Sequence, residues 1–216
     1  MDNPAVPALD PEEDDNFRAS ELDFPIVGIG ASAGGLMALI HLFEHMPHDT
    51  GMAFVIILHL SPTHESHSDE ILQRNTKMPV MQVTETVPIE PNHIYIISPA
   101  MQLSMNDGHL TVSDLERSGN HHVAIDLFFR TLAHVHKERA IAIVLSGSGS
   151  DGAVGLTRIK EQGGITFAQN VHDAEHDGMP RNAIATGLID FILPVVEMPQ
   201  KLIDLWQNAR KIELPN

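Results

Sequence analysis

Residues 24–40 read FPIVGIGASAGGLMALI. An apolar run suited to a strand is followed by a glycine-rich turn and then by apolar residues at helical spacing. From Gly28, the letters GIGASA are close to the G-x-G-x-x-G/A fingerprint that seats a dinucleotide pyrophosphate on a helix N-terminus. From Gly30, the letters GASAG match the G-x-S-x-G turn that exposes a nucleophilic serine, here Ser32. This stretch alone leaves both interpretations open.

The chain beyond this stretch alternates strand and helix patterns, which is typical of a parallel sheet covered by helices. The residues MQLSMNDGHLTV at 101–112 carry an Asn-Asp-Gly turn and predict a β-hairpin. The predicted fold class is α/β, a doubly wound, mostly parallel sheet with helices on both faces and one antiparallel β-hairpin. We predict strands at about 25–29, 52–58, 79–83, 93–97, 140–145, 165–169 and 189–193. We predict helices at about 35–46, 66–75, 123–137, 152–162, 180–186 and 197–211.

An acidic segment precedes this pattern. Residues 1–23 hold eight Asp or Glu, a single Arg and three Pro. Such a composition favours a disordered or loosely attached arm. We therefore predict a folded domain at residues 24–211, between the arm at 1–23 and a short tail at 212–216.

The composition speaks against several classes of partner. The formal net charge of −16 would repel a nucleic-acid backbone, and the basic residues form no stripe. No apolar run approaches the roughly 20 residues that a membrane-spanning helix needs, and the N-terminus is acidic where a signal peptide is basic. The chain has no cysteine, which excludes disulfides and thiolate chemistry. These features predict a cytoplasmic protein that binds no nucleic acid and does not insert into membranes.

The end of the second predicted strand separates the two interpretations of the glycine-rich turn. A dinucleotide-binding unit needs an acidic residue there to hold the ribose hydroxyl. The strand instead ends in VIILHLSP, with His59 at that place. A serine nucleophile needs an imidazole to remove its proton, so His59 favours the serine interpretation.

Three residues are therefore predicted to share the carboxyl edge of the sheet. Ser32 follows the first strand, His59 closes the second, and Asp151 lies in SGSGSDG after the strand at 140–145. In a catalytic triad Ser32 would attack, His59 would accept and return the proton, and Asp151 would orient the imidazole. Backbone N–H groups near Ala33 and near Ser148 and Gly149 are candidates for an oxyanion hole.

Each of these residues also has a purely structural explanation. Ser32 would then cap the following helix, Asp151 would cap the helix at 152–162, and His59 would be a core histidine. A metal site built from His59, His64 and His67, with Glu65 and Asp69 nearby, is disfavoured because no H-E-x-x-H spacing is present. SGSGSDG lacks the lysine of a phosphate-binding loop. We predict neither a metal nor a cofactor.

Several separated motifs resemble one known family. GIGASAGG, HLSP, LSGSGSDGAVGL and DGMPRNAIATGLIDFILP resemble, in the same order, motifs of the catalytic domain of CheB, the protein-glutamate methylesterase of bacterial chemotaxis. The resemblance implies hydrolysis of γ-glutamyl methyl esters on chemoreceptors with release of methanol, and glutamine deamidation as a related activity. It also implies that Ser32, His59 and Asp151 are the triad and that the sheet is mostly parallel with one hairpin strand.

The sequence also departs from that family in three ways. The acidic arm is too short to be the receiver domain that usually precedes the esterase. Ala33 stands where the family has threonine after the nucleophile, and Ser148 where its T-G-M-G-x-D-G loop has methionine. Such variants resemble esterase-like domains fused to a CheR-type methyltransferase and sensory domains. The expected partner is a methylated glutamate-bearing protein, and the alternative function is a non-catalytic regulatory module of a chemotaxis-like protein.

Overall fold

The computed structural model describes residues 18–58, 67–98, 101–114 and 123–211. A seven-stranded sheet forms its centre, in the order β10-β9-β8-β1-β2-β5-β3, and every neighbouring pair in it is parallel. Its strands are β1 Ile26–Ala31, β2 Ala53–Leu58, β3 Val80–Val83, β5 Ile94–Ile97, β8 Ala140–Val144, β9 Ile165–Gln169 and β10 Phe191–Leu193. The predicted α/β class is confirmed.

The predicted hairpin is confirmed, although it lies outside the large sheet. Strands β6, Met101–Asn106, and β7, His109–Asp114, pair in antiparallel register around Asp107 and Gly108. Both turn residues have positive φ, 48° and 72°, as the two-residue turn of a right-twisted hairpin requires. A short strand β4, Val87–Pro88, pairs with β7 and completes a second, three-stranded sheet. The sequence pattern did not predict β4.

Helices cover both faces of the large sheet, which confirms the doubly wound arrangement. The helices are α1 Gly35–Glu44, α2 Ser68–Gln73, α3 Ala124–His136, α4 Gly155–Glu161, α5 Gly178–Ala185 and α6 Met198–Lys211. One apolar core lies between the sheet and helices α3, α4 and α5, together with the hairpin sheet. The other lies between the sheet and helices α1, α2 and α6. None of the helices in the described ranges is long and apolar enough to cross a bilayer.

Two glycines of β1 face helix α3. A Cβ atom on Gly28 would lie 2.9 Å from Leu132 Cδ2, and one on Gly30 would lie 2.5 Å from Ile125 Cγ2. Real Cβ atoms do not approach other atoms that closely. The first two glycines of the apparent dinucleotide fingerprint therefore serve the packing of α3 onto β1.

Residues 18–23, which the sequence analysis placed in the arm, are attached to the domain. The N–H of Ser20 donates to the carbonyl oxygen of Val135 at 3.1 Å, and the N–H of Asp107 donates to that of Arg18 at 3.2 Å. Ser20 is buried, and Leu22 packs against the core on the α3 side of the sheet. Ser20 and Leu22 thus attach this segment to the domain, while residues 1–17 and 212–216 lie outside the described residues.

The end of α3 holds a buried histidine. His136 is 1% exposed, and neither of its ring nitrogens has a hydrogen-bond partner among the residues that the structure describes. Burial, with a smaller contribution from nearby Arg139, lowers the pKa of His136 to about 4. The side chain is therefore neutral in the folded protein under ordinary conditions, and its protonation opposes folding.

We expect Gly30→Ala to destabilise the fold by about 1–3 kcal/mol, because the new methyl group enters the space of Ile125. Ile125→Ala alone should cost about 2–5 kcal/mol through the cavity it leaves. In the double variant the alanine at 30 occupies part of that cavity, so the combined loss in urea unfolding should be smaller than the sum. Additive losses would contradict the close contact.

We expect His136→Leu to reduce the acid sensitivity of the fold. In the wild type the unfolded chain binds a proton at His136 near its ordinary pKa of 6.5, whereas the folded chain does so only near 4. The stability contribution is therefore complete above about pH 6.5 and is lost as the pH falls towards 4. The urea midpoint of this variant relative to that of the wild type should therefore be higher at pH 5.0 than at pH 7.5. His41→Leu, at an exposed position, should leave the wild-type difference unchanged.

Candidate active site

The strand order reverses between β1 and β8. From β1 the chain proceeds through β2, β3 and β5 on one side, then returns to β8 on the other side and continues to β9 and β10. Sites in open parallel sheets form at the carboxyl ends of the strands at such a reversal. The loops after β1 and β8 carry Ser32 and Asp151, so two of the predicted triad residues follow neighbouring strands.

These two loops are in direct contact. The N–H of Ser32 donates to the carbonyl oxygen of Ser146 at 3.0 Å, which continues the β1–β8 pairing beyond the strands. A Cβ atom on Gly147 would lie 3.0 Å from Ser32 Cβ and 2.1 Å from Met179 Sδ. A glycine at position 147 therefore lets the Ser32 turn and helix α5 pack against the β8 loop.

Ser32 sits on a tight turn and does not cap helix α1. Its carbonyl oxygen accepts from the N–H of Gly35 at 2.8 Å, and Gly34, the cap residue, has φ of +70°. No side-chain hydrogen bond caps this helix. The half-buried Ser32 hydroxyl makes no hydrogen bond to the residues that the structure describes. The capping explanation for Ser32 is therefore wrong.

Asp151 binds a helix other than the one that follows it. Its Oδ2 accepts from the N–H of Ile125 at 3.1 Å and its Oδ1 from the N–H of Asp126 at 2.9 Å. Both donors lie in the first turn of α3, whereas the side chain of Val154, the residue before α4, makes no capping bond. Burial raises the pKa of Asp151 above its ordinary value, and these N–H groups oppose the shift. The explanation of Asp151 as the cap of its own helix is wrong.

The third predicted triad residue, His59, lies outside the described residues, as do His64 and Glu65. His67 is exposed, and its Nδ1 lies 3.7 Å from Glu70 Oε1. Within the described ranges, no group of three His, Asp or Glu side chains is arranged to hold a metal ion.

The predicted oxyanion donors make no hydrogen bonds within the described residues. The N–H groups of Ala33, Ser148 and Gly149 donate to no acceptor in the described part of the chain. By contrast, the N–H of Gly147 donates to the carbonyl oxygen of His176 at 2.9 Å. Ala33, Ser148 and Gly149 are also exposed on the edge that carries Ser32.

A buried serine that the sequence analysis missed joins the loops of this edge. Ser146 is 1% exposed; its Oγ donates to the carbonyl oxygen of Ala33 at 2.9 Å and accepts from the N–H of His176 at 2.9 Å. Its own N–H donates to Gln169 Oε1 at 2.9 Å. Gln169 Nε2 in turn donates to Asp173 Oδ2 at 2.8 Å. Serine and glutamine at strand ends carry no sequence signal that distinguishes them from ordinary loop residues.

A cavity of about 400 Å³ opens beside this network. It shares the segment Ser148–Gly149 with the candidate oxyanion donors, and the loop after β9 forms its other wall. A Cβ atom on Gly34 would lie 2.9 Å from Glu175 Cβ, so this loop also contacts the Ser32 turn. Its lining residues are Ser148, Gly149, Val171, Ala174, Glu175, His176, Asp177 and Gly178.

The sequence profile described as CheB methylesterase matches residues 27–202. The chain belongs to the CheB methylesterase family. The matched range contains β1 through the start of α6, and it includes Ser32, His59 and Asp151. The family that the sequence motifs predicted is therefore confirmed.

A solved structure and two named relatives support this family assignment. The crystal structure of the Thermotoga maritima CheB methylesterase catalytic domain superposes with a TM-score of 0.78 at 26% identity, covering 85% of this chain and 100% of that chain. A Leptospira interrogans protein, provisionally named protein-glutamate methylesterase/protein-glutamine glutaminase, is 30% identical over 87% of this chain and 97% of its own length. The Photorhabdus laumondii protein-glutamate methylesterase/protein-glutamine glutaminase is 31% identical over 88% of this chain but only 55% of its own length.

We expect Ser146→Ala to destabilise the protein by about 1–3 kcal/mol, because the carbonyl of Ala33 and the N–H of His176 lose a partner. Urea unfolding measures this loss. Ser150→Ala, an exposed position in the same loop, is the matched control and should change the stability by less than about 0.5 kcal/mol. Equal effects of the two substitutions would contradict a structural role of the Ser146 hydroxyl.

Proposed function

We propose that this chain hydrolyses protein L-glutamate 5-O-methyl esters and releases methanol. The observation that carries the proposal is the direct contact between the Ser32 turn and the Asp151 loop at the strand-order reversal of a CheB-family domain. The Ser32 hydroxyl and the nearby N–H groups support it, because they make no hydrogen bond to the described residues.

In the proposed reaction, His59 removes the proton of the Ser32 hydroxyl as its oxygen attacks the ester carbon. The tetrahedral intermediate collapses, the methoxy group takes the proton from His59 and leaves as methanol, and a glutamyl ester of Ser32 remains. Water, activated by His59, then hydrolyses this ester and restores the serine. Asp151 orients the imidazole and stabilises its protonated form. Water is the only co-substrate, so no metal or cofactor is needed.

The proposed oxyanion donors are the N–H groups of Ala33, Ser148 and Gly149. A main-chain N–H is present whatever side chain the residue carries, so alanine and serine in place of the family's threonine and methionine keep the donors. The bond from Asn182 Nδ2 to the carbonyl oxygen of Gly149, 2.7 Å, supports a fixed orientation of that peptide. Preorganised donors of this kind stabilise the intermediate by several kcal/mol.

Glutamine deamidation is a second reaction of the same site. The amide carbonyl would occupy the place of the ester carbonyl, and ammonia would leave where methanol leaves. The double name of the Photorhabdus laumondii relative supports this extension.

The expected partners are a methylated glutamate-bearing protein, such as a chemoreceptor, and fused or associated methyltransferase and sensory domains. An uncharacterised 104.1 kDa protein of Rhodobacter capsulatus is 40% identical over 58% of this chain, and the match covers 13% of that protein. A related domain thus occurs within a much longer chain. The two departures at Ala33 and Ser148 favour, as the second candidate, a regulatory module that binds the methylated protein without hydrolysing it.

We expect the wild-type chain to release methanol from a methylated receptor fragment, and Ser32→Ala to lower the rate by about 10⁴-fold or more. Gas chromatography of methanol at equal folded concentration measures this. Ser113→Ala, at an exposed position on the hairpin sheet, is the control and should retain the wild-type rate. Equal rates for wild type and Ser32→Ala would exclude Ser32 as the nucleophile. If neither protein releases methanol, a small activated ester separates an unsuitable substrate from a non-catalytic module.

We expect kcat/KM to fall in acid with a midpoint at about pH 6 to 7, because protonated imidazole cannot accept the serine proton. A pH series with a small ester substrate measures this limb. A flat profile between pH 5 and 8 would count against His59 as the base.

A further inference from the structure

Two half-buried aspartates lie where α3 and α4 meet, and each binds the start of a different helix. Asp151, which precedes α4, accepts from the N–H groups of Ile125 and Asp126 in the first turn of α3. Asp126, in that same turn, accepts through Oδ1 from the N–H of Gly155 at 2.6 Å. Gly155 is the first residue of α4. The two carboxyl groups thus link the starts of α3 and α4 through three hydrogen bonds, and these bonds are called the clasp below.

The two carboxyl groups also interact electrostatically. Burial raises the pKa of Asp126 to about 6, and the charge of Asp151 adds to the shift. Burial also raises the pKa of Asp151, and the interaction with the Asp126 carboxyl opposes part of that shift. Asp126 is therefore protonated below about pH 6 and negatively charged above it.

The elements packed against the pair supply few other charges. Strands β1, β6 and β8 contain no ionisable side chain. On α3, Arg130 lies one turn beyond Asp126, and His134 and His136 lie further along the helix. On α4, Arg158 pairs with Glu161, and Lys160 pairs with Asp190 of the loop before β10. His59, the proposed base, follows β2 outside the described residues.

We propose that Asp126 is a positioning residue for Asp151, an inference that rests on the proposed function for its catalytic consequence. Its carboxyl oxygen fixes the start of α4 and thereby the loop that carries Asp151. Its negative charge adds to that of Asp151 in stabilising the protonated base that forms during the reaction.

Two substitutions separate these contributions. Asp126→Asn keeps an oxygen that accepts from Gly155 and removes the charge, whereas Asp126→Ala removes both. Without the second charge the protonated base is less stable, so the acid limb of kcat/KM should move by about half a pH unit or more to lower pH in both variants. Asp126→Ala should in addition lose kcat by about tenfold or more, because Asp151 is no longer held in place.

The matched control is Glu161→Gln, which removes one negative charge at the far end of α4 and should leave the acid limb unchanged. Ser32→Ala should be inactive in the same assay, which shows that the measured activity belongs to the proposed site. If the acid limb of Asp126→Asn then equals that of the wild type, the charge contribution is overturned and the proposed function stands. An undiminished kcat in Asp126→Ala overturns the positioning contribution.

Urea unfolding tests the clasp without any enzymatic activity. Because the pKa of Asp126 is raised on folding, its stability contribution is complete below about pH 4 and is lost as the pH rises through 6. The urea midpoint of Asp126→Asn, measured relative to the wild type, should therefore be higher at pH 7.5 than at pH 4.5. At both pH values the urea midpoint of Asp126→Ala should be lower than the urea midpoint of Asp126→Asn. A pH-independent difference between Asp126→Asn and the wild type overturns the inference, even if no ester is hydrolysed and the proposed function fails.

Discussion

The close approach of helix α3 to strand β1 is the constraint on which the candidate site depends. Gly28 and Gly30 permit it, because any side chain there would collide with Leu132 or Ile125. The approach places the first turn of α3 beside the loop after β8, where its N–H groups bind Asp151. The close packing of α3 on β1 in the core therefore sets the position of Asp151 at the carboxyl edge of the sheet.

The edge itself is organised by polar groups whose hydrogen bonds are satisfied. Ser146 and Gln169 are almost fully buried and join the loops after β1, β8 and β9. Buried polar groups of this kind fix one arrangement of the backbone, because each alternative leaves a donor or acceptor without a partner. Among the described residues, the Ser32 hydroxyl and the N–H groups of Ala33 and Ser148 have no hydrogen-bond partner on this frame. Such a combination is what a preorganised reaction site requires.

The carboxyl groups where α3 and α4 meet are costly to ionise. Placing the half-buried Asp126 and Asp151 side by side opposes ionisation of both, and partial removal from water is the main cause of each raised pKa. Helix N-termini offset part of this cost, since their N–H groups and dipoles favour negative charge. In the proposed reaction, the same buried charges would stabilise a protonated base.

Local signals in the sequence determined most of the secondary structure and marked two site residues. Strand β9 occupies its predicted residues 165–169, the Asp-Gly turn forms the predicted hairpin, and the motifs around Ser32 and Asp151 pointed to one edge of the sheet. Only the tertiary structure decided that β1 and β8 are neighbours, that Val87–Pro88 pairs with β7, and that Asp151 binds α3 rather than α4. It also assigned the glycines of the apparent dinucleotide fingerprint to helix packing and placed Ser146 and Asp126 beside the loops of the candidate site. Apolar periodicity and turn residues act over a few positions, whereas these contacts join residues far apart in the chain, and no local pattern encodes them.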